Sequence, residues 1–171
     1  MLFSTSLFAA TRSEKNIKEG NWIIGGSGSY EKIAGNAEAY FLGLGPSYFI
    51  FDQLAIGLEG FYQKTNSLSQ SAVSVESVEV GPTVRYFFYD CGDWASYINQ
   101  SFLHKYRMLR FSSFPGTAEN GAIATTSVGI LYFMSSSIAS GPSLSYSYEL
   151  GNSELTDIES IRLGFSFSIY L

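Results

Sequence analysis

The feature that most constrains the fold is the alternation of side chains along residues 40–63, YFLGLGPSYFIFDQLAIGLEGFYQ. Successive side chains of a β-strand point to opposite faces, so this alternation predicts two strands joined by a turn at residues 51–53. A sheet of a soluble protein would carry polar residues on one face, but here the second face mixes small, aromatic and acidic residues. The first face carries Tyr40, Leu42, Leu44, Tyr48, Ile50, Leu54, Ile56, Leu58 and Tyr62.

The composition also favours β-structure in an apolar environment. Only 15% of the 171 residues are charged, against about 25% in an average chain, and the chain contains 14 Phe, 12 Tyr and 17 Gly. The net charge of −5 argues against binding to nucleic acid, which requires a basic face. The single cysteine, Cys91, excludes an internal disulfide and a cysteine-rich metal site, and it is interpreted as a small residue in a turn.

No run of the sequence approaches the roughly 18 to 20 apolar residues of a membrane helix. Strands can cross a bilayer only as a closed barrel, because lipid cannot satisfy the hydrogen bonds of an open sheet edge. Residues 1–20 are predicted to be a residual export signal or a disordered leader, of which residues 11–20 form an exposed tail. Their start, MLFSTSLFAATR, has a short apolar run that ends in small residues but lacks a basic region.

Alternation continues over residues 21–171 and predicts an all-β fold, an eight-stranded antiparallel up-and-down transmembrane β-barrel. Short turns are predicted at 51–53, 90–93 and 135–137, and long loops at 31–38, 64–74, 105–121 and 149–159. The longest loop, 105–121, is expected to be exposed and mobile beyond Phe111. Even-numbered side chains should face lipid in strands one to four, six and seven, and odd-numbered ones in strand eight. Strand five, 94–103, has two mixed faces and is not assigned.

A motif in the hairpin of residues 40–63 resembles a known family. The pattern G-P-S-Y-F-x-x-D-x-L-A-I-G-L, residues 45–58, is similar to the second hairpin of small bacterial outer-membrane β-barrels of the OmpA-like and OmpX-like kind, in the porin superfamily. The resemblance implies a bacterial outer-membrane location, with short periplasmic turns, long extracellular loops and both termini in the periplasm. It also implies contact with outer-membrane lipid and lipopolysaccharide.

The end of the chain resembles the signal by which the outer-membrane assembly machinery recognises barrels in this family. Phe165, Phe167, Ile169 and Leu171 alternate along the last strand, although the family commonly ends in an aromatic residue rather than leucine. A monomer is expected.

Two repeats occur in phase with the short turns. Tyr-Phe precedes each turn, and Tyr48, Tyr86 and Tyr132 are predicted to form an aromatic girdle at the membrane interface. The alternative is that aromatic residues simply favour strands. Gly-Pro-Ser/Thr occurs at 45–47, 81–83 and 141–143, and it predicts bulges because proline cannot donate a hydrogen bond within a sheet. The expected bulges are at Pro46, Pro82 and Pro142.

Four charged residues are predicted to meet in the lumen: Glu59, Glu79, Arg85 and Arg162. If the loop after Gln63 closes symmetrically, Glu59 and Glu79 lie opposite each other and repel, so they need a cation. Arg162 is the expected partner, since Arg85 lies closer to the periplasmic turn. The alternative is that each charge contacts water separately.

Catalysis is not expected. Enzymes of two eight-stranded outer-membrane families act on lipid A, and that chemistry would need a histidine beside a serine hydroxyl. The one histidine, His104, is three residues from Ser101, which places the two on opposite faces of a strand. It is instead interpreted as a residue at the base of a loop. The sequence has no metal-ligand spacing and no phosphate-binding loop, so no cofactor is predicted.

The sequence therefore predicts a non-enzymatic integral outer-membrane β-barrel with a structural or surface-interaction role, a lumen filled by side chains and exposed extracellular loops. One alternative is a narrow pore for small solutes. Another is a soluble lipocalin-like ligand-binding barrel, because Gly20-Asn21-Trp22 matches the G-x-W that opens lipocalins.

Overall fold

A computed structural model describes residues 17–33, 37–67, 73–111, 117–150 and 159–171. These residues form eight antiparallel strands, and β1 pairs with β8 to close a barrel in which every other neighbour pair is sequential. The predicted fold class is confirmed. Within the described ranges, no helix is long and apolar enough to cross a membrane. The strands are Trp22–Ile33 (β1), Ala37–Phe51 (β2), Leu54–Ser67 (β3), Val73–Cys91 (β4), Trp94–Phe111 (β5), Thr117–Ser135 (β6), Ile138–Leu150 (β7) and Glu159–Tyr170 (β8).

The predicted facing of the strands is confirmed by the exposure of neighbouring side chains. In β4, Val80 is 52% exposed and Glu79 is 1% exposed, and in β8 the odd-numbered Phe167 is 42% exposed beside a buried Ser168. Strand β5, which the sequence left unassigned, also turns its even-numbered side chains outward, as at Phe102. The apolar face therefore covers the outside of the barrel.

The three short turns lie where they were predicted, at Asp52–Gln53, Gly92–Asp93 and Ser136–Ser137. The long loops were predicted too long, most of all at 105–121, where β5 runs to Phe111 and β6 begins at Thr117. The charged residues in this segment continue the alternation and extend the strands, because a charged side chain does not by itself interrupt the backbone pairing of a strand. The expected mobility beyond Phe111 concerns residues 112–116, which lie outside the described residues.

The prediction of bulges at Pro46, Pro82 and Pro142 is wrong. Pairing to one neighbour is interrupted at each proline, but the register is the same on both sides of the interruption, as between Leu44↔Gly60 and Ser47↔Gly57. The register shifts instead lie just before the short turns, at Phe49/Phe51, Phe87/Tyr89 and Phe133/Ser135.

The glycine before each proline explains why no bulge is needed. A Cβ atom on Gly81 would collide with the carbonyl oxygen of Phe102 in the next strand, and one on Gly141 would collide with that of Ile130. Only a residue without a side chain allows this close approach. The strand can therefore move toward its neighbour where proline has removed a donor, and the register is preserved.

The short segment before β1 packs under the barrel. Ile17 is only 4% exposed, so the predicted exposed tail is wrong at this residue, although Lys18, Glu19 and Gly20 are exposed. The assignment of residues 1–20 to a leader otherwise stays a prediction, because residues 1–16 lie outside the described residues.

Candidate functional site in the barrel lumen

The end of the lumen near the short turns is closed by apolar side chains, here called the floor. The ring of Tyr170 lies 5.1 Å from that of Phe133 and 6.5 Å from that of Phe87, and Phe87 lies 5.8 Å from Phe49. These rings therefore pack against one another inside the barrel. The floor consists of Ile17, Ile23, Phe49, Ala55, Phe87, Ala95, Tyr97, Leu131, Phe133, Ala139 and Tyr170.

Backbone hydrogen bonds hold the segment of residues 17–21 against the floor. The Gln53 N–H donates to the Ile17 carbonyl at 3.2 Å, and the Gly20 N–H donates to the Phe49 carbonyl at 3.0 Å. Asp52 accepts a bond from the Glu19 N–H at 2.9 Å. Because these contacts fix its backbone, Ile17 completes the floor from below.

Above the floor, Glu59 is the centre of a hydrogen-bonded network. Arg85 Nη2 donates to Glu59 Oε1 at 3.2 Å, and the side chains of both residues are 12% exposed. Asn99 Nδ2 donates to Glu59 Oε2 at 3.0 Å, and the Ser101 hydroxyl donates to the same oxygen. Thr83 Oγ1 donates to Asn99 Oδ1 at 2.8 Å. The buried carboxylate is thus compensated by one cation and two neutral donors.

The predicted partner of Glu59 was wrong. Glu59 lies opposite Gly81 and Glu79 lies opposite Phe61, so the two carboxylates do not face each other. The pairing of β3 with β4 is shifted by two residues from the register that a symmetric loop after Gln63 would give. The two strands continue to pair as far as Asn66↔Ser74. Arg85 starts near the floor, but its long side chain extends along the lumen and reaches Glu59.

The other two predicted residues line the same cavity as this ion pair and have contacts of their own. Arg162 Nη2 donates to Ser147 Oγ at 2.9 Å, and its guanidinium lies 4.3 Å from the centre of the Phe41 ring. Glu79 is 1% exposed, and its carboxylate makes no hydrogen bond to any residue that the structure describes. The structure therefore pairs Glu59 with Arg85, and all four predicted residues line one cavity of the lumen.

The end of the lumen away from the short turns contains a cavity of about 280 Å³, here called the vestibule. Charged residues that include Glu79 and Arg162 line it. Glu149 Oε2 lies 3.0 Å from both Lys105 Nζ and Arg107 Nη2. Sequence reasoning missed this cluster because it assigned Lys105, Arg107 and Glu149 to loops. The continued alternation along Lys105, Arg107 and Leu109 was the signal that could have revealed it.

The wall formed by β6, β7 and β8 carries small hydroxyl side chains. Ser127 Oγ donates to Ser145 Oγ at 2.9 Å, and the Ser166 and Ser143 hydroxyls lie 3.0 Å apart. Beside this wall the middle of the lumen contains a cavity of about 50 Å³ that extends to Glu59. The volume admits a few water molecules, so the middle of the lumen is polar and nearly filled.

The tyrosines of the predicted girdle all point outward near the short turns. Tyr48, Tyr86 and Tyr132 are 36%, 45% and 41% exposed. The Tyr48 ring lies 5.2 Å from Trp22, and the Tyr132 ring lies 4.9 Å from Trp94. Outward tyrosines at the opposite end, on the predicted outward face, include the pair Tyr30 and Tyr40, whose rings lie 5.2 Å apart.

Ser101 and His104 lie on opposite sides of the barrel wall. Ser101 is fully buried in the Glu59 network, whereas His104 is exposed on the outer surface, opposite Val80 and Ala122. His104 therefore belongs to a strand and not to the base of a loop, as the sequence suggested.

A closed eight-stranded barrel with an apolar outer face, outward aromatic residues near both ends and a polar, nearly filled lumen has the architecture of small transmembrane β-barrels of the outer-membrane type. Solved structures of such barrels are similar to this chain. Neisserial surface protein A matches with a TM-score of 0.63 and 10% identity, over 87% of this chain and 94% of that one. OprG from Pseudomonas aeruginosa matches with a TM-score of 0.59 and 12% identity, over 92% and 99%.

The N-terminal β-barrel domain of Pseudomonas aeruginosa OprF matches with a TM-score of 0.56 and 14% identity, over 90% of this chain and 98% of that one. At such identities the likeness establishes the fold alone. No protein-family model and no curated protein sequence matches the chain.

Proposed function

We propose that the chain is a non-enzymatic integral protein of the bacterial outer membrane, with a closed lumen and a structural or surface-interaction role. The observation that carries this proposal is the floor, where the rings of Phe49, Phe87, Phe133 and Tyr170 are buried against one another inside the barrel. Eight strands enclose an interior only wide enough for side chains. A solute would have to displace packed aromatic rings to pass.

The outer surface supports insertion into outer-membrane lipid and contact with lipopolysaccharide. In β2, Leu42 and Leu44 are 63% and 58% exposed between the outward rings of Tyr40 and Tyr48. Tyr48 follows Tyr40 by eight positions. At about 3.3 Å per residue and a strand tilt near 40°, the two tyrosines span roughly 20 Å, close to the height of the apolar band in outer-membrane barrels. Tyr48, Tyr86 and Tyr132 would form the girdle at the periplasmic interface. A soluble lipocalin-like barrel would instead have an apolar lumen and a charged exterior.

The lengths of the strands support a role at the cell surface. β4, β5 and β6 have 19, 18 and 19 residues, whereas about 9 to 11 residues cross the bilayer. The surplus of about eight residues corresponds to some 20 Å of sheet beyond the lipid. Such a sheet offers a rigid surface for a partner outside the cell.

Bilayer conductance tests the closed lumen. The protein reconstituted in a planar lipid bilayer should give no steady conductance, and removal of two floor rings, as in Phe49→Ala with Phe133→Ala, should produce one. A large steady conductance of the unmodified protein would favour the alternative, a narrow pore for small solutes.

Labelling of Cys91 tests the orientation. This residue is exposed at a short turn and is the only cysteine of the chain, so the proposal places it in the periplasm. A maleimide attached to a polymer too large for porins should not react with intact cells but should react after the outer membrane is permeabilised. Labelling of intact cells would mean that the short turns face outward.

The remaining parts of the proposal follow from the closed sheet and from β8. One chain satisfies all its strand edges, so we propose that a monomer is the unit that folds. Phe165, Phe167 and Ile169 point outward from β8, which supports recognition by the assembly machinery through this strand. The separation of Ser101 from His104 supports a role without catalysis.

A further inference from the structure

The outer face of β5 and β6 carries a polar pair at the depth where the rest of the outer face is apolar. Thr126 Oγ1 donates to Gln100 Oε1 at 2.6 Å across two adjacent strands. Gln100 lies six residues from the outward Trp94 near one interface and six from the outward Tyr106 near the other, so the pair lies near the middle of the bilayer. On β2, the residue midway between Tyr40 and Tyr48 is Leu44.

A glutamine side chain is costly in lipid unless all of its polar atoms are paired. The carboxamide has two N–H donors in addition to the oxygen. The oxygen accepts the bond from Thr126, and this bond uses neither of the two donors on Nε2. A partner in the membrane can therefore supply an acceptor to these donors.

The surroundings of Gln100 permit a close contact with another protein. Opposite Phe102 and His104, the outward positions of β6 are Ala124 and Ala122, which leave a shallow depression beside the polar pair. Small residues next to a hydrogen-bonding side chain are typical of contacts between protein segments in membranes. Around the depression the outer face is apolar, with Val84, Phe102, Val128 and Tyr146 between 40% and 58% exposed.

We propose that this face, here called the Gln100 face, is the contact surface of a dimer of two copies of the chain in the membrane. A carboxamide is its own complement, because it both donates and accepts hydrogen bonds. Two Gln100 side chains related by a two-fold axis can each donate Nε2 to the oxygen of the other. The two-fold dimer is also the commonest closed symmetry of homo-oligomers, and it brings the same patch of both copies together.

The proposal concerns the association of folded barrels, so it agrees with a monomer as the folding unit. It rests on the proposed membrane location but not on the closed lumen. It also accounts for the mixed pattern of β5, whose outward Ser96, Gln100 and His104 made the strand difficult to assign from the sequence. These residues interrupt the apolar face on the side where a protein, and not lipid, would lie.

Energy transfer between labelled barrels tests the dimer. The single Cys91 allows donor and acceptor dyes to be attached to separate samples of the unmodified chain, which are then mixed in phosphatidylcholine vesicles. We expect transfer above the level of randomly distributed barrels. It should increase with the protein-to-lipid ratio and decrease when unlabelled protein is added.

Two variants and a control connect the transfer to the Gln100 face. Gln100→Leu should weaken the association by about tenfold, and Ala122→Leu, which fills the depression but keeps the glutamine, should weaken it as well. Leu44→Ile, on the opposite wall, should leave it unchanged. Because leucine suits the lipid face, Gln100→Leu should fold normally, which is checked by its altered mobility before boiling in a detergent gel.

Three outcomes would overturn the proposal. Transfer of the unmodified protein at the random level would mean that lipid covers this face. Equal transfer for the unmodified protein and a folded Gln100→Leu variant would mean that the barrels associate through another surface. A failure of the protein to insert into vesicles at all would contradict the proposed membrane location, and the dimer with it.

Discussion

The floor around Phe87 and the layer around Glu59 lie one above the other in the same lumen. The floor excludes water by packing aromatic rings, with Phe87 and Tyr170 fully buried. In the layer above, Arg85, Asn99 and Ser101 surround the Glu59 carboxylate, and Thr83 donates to Asn99, beside a cavity of about 50 Å³. The same cylindrical wall thus encloses an apolar core and a polar one. We expect mutations in the first to cost mainly packing energy, and mutations in the second to depend on how much water reaches it.

The largest expected effect is at Phe87. Phe87→Ala should lower the free energy of unfolding by roughly 3 to 5 kcal/mol, because the neighbouring rings of Phe49 and Tyr97 cannot collapse into the cavity. The measurement is equilibrium unfolding in urea of the protein in lipid vesicles. Phe88→Ala is a matched control in the same strand, since Phe88 points outward and is 57% exposed. Equal losses for the two variants would mean that the floor is no better packed than the lipid-facing surface.

The next effect is at Arg85. Arg85→Ala should cost about 2 to 3 kcal/mol, less than the usual loss for a broken buried pair, because Asn99 and Ser101 continue to donate to Glu59. The double variant Arg85→Ala with Glu59→Gln should recover part of that loss in the same unfolding assay, since it removes the unpaired charge. Arg162→Ala is the comparison that tests which of the two arginines is the partner of Glu59. A greater loss for Arg162→Ala than for Arg85→Ala would restore the pairing expected from the sequence.

A third prediction concerns the close approach of two neighbouring strands in the barrel wall. Gly81 lies opposite Glu59 in the register, at the level of the polar layer. Gly81→Ala should cost about 1 to 3 kcal/mol, because its Cβ would collide with the Phe102 carbonyl. Gly60→Ala, in the adjacent strand, is the control, since its Cβ would lie 3.7 Å from the nearest atom. If Gly81→Ala folds as stably as Gly60→Ala, the close approach at Gly-Pro is not needed to keep the register.

The sequence predicted the strands well because the apolar outer face imposes one rule on most of the outward positions. Even-numbered side chains such as Ile56 and Val80 are apolar, as this rule requires. The tight turns fix which positions of each strand face outward. The interior follows no such rule. Its contacts depend on the relative register of strands, which differed by two between β3 and β4, and on the reach of long side chains such as Arg85.

Two further errors have the same kind of cause. Polarity alone suggested a loop at Lys105 and Arg107, because the sequence does not reveal where a strand leaves the membrane. The prolines suggested bulges because proline lacks a donor, but the preceding glycines allow the neighbouring strands to approach instead. In both cases local chemistry was interpreted correctly, while the arrangement of the neighbouring strand determined the outcome.

The smallest expected effect is at Glu149, in the vestibule. Its ion pairs with Lys105 and Arg107 are as short as the Glu59 pair, but the Glu149 and Arg107 side chains are 20% and 21% exposed and border an open cavity of about 280 Å³. Water and salt therefore screen them, and Glu149→Gln should cost about 1 kcal/mol or less, with a smaller loss at high salt. Glu119→Gln is the control, since Glu119 is 57% exposed and 3.6 Å from Arg107, and it should change stability by less than about 0.5 kcal/mol. A loss at Glu149 as large as that of Arg85→Ala, and insensitive to salt, would mean that the vestibule is as dry as the layer below. The polar part of the lumen would then be one continuous buried network above the floor.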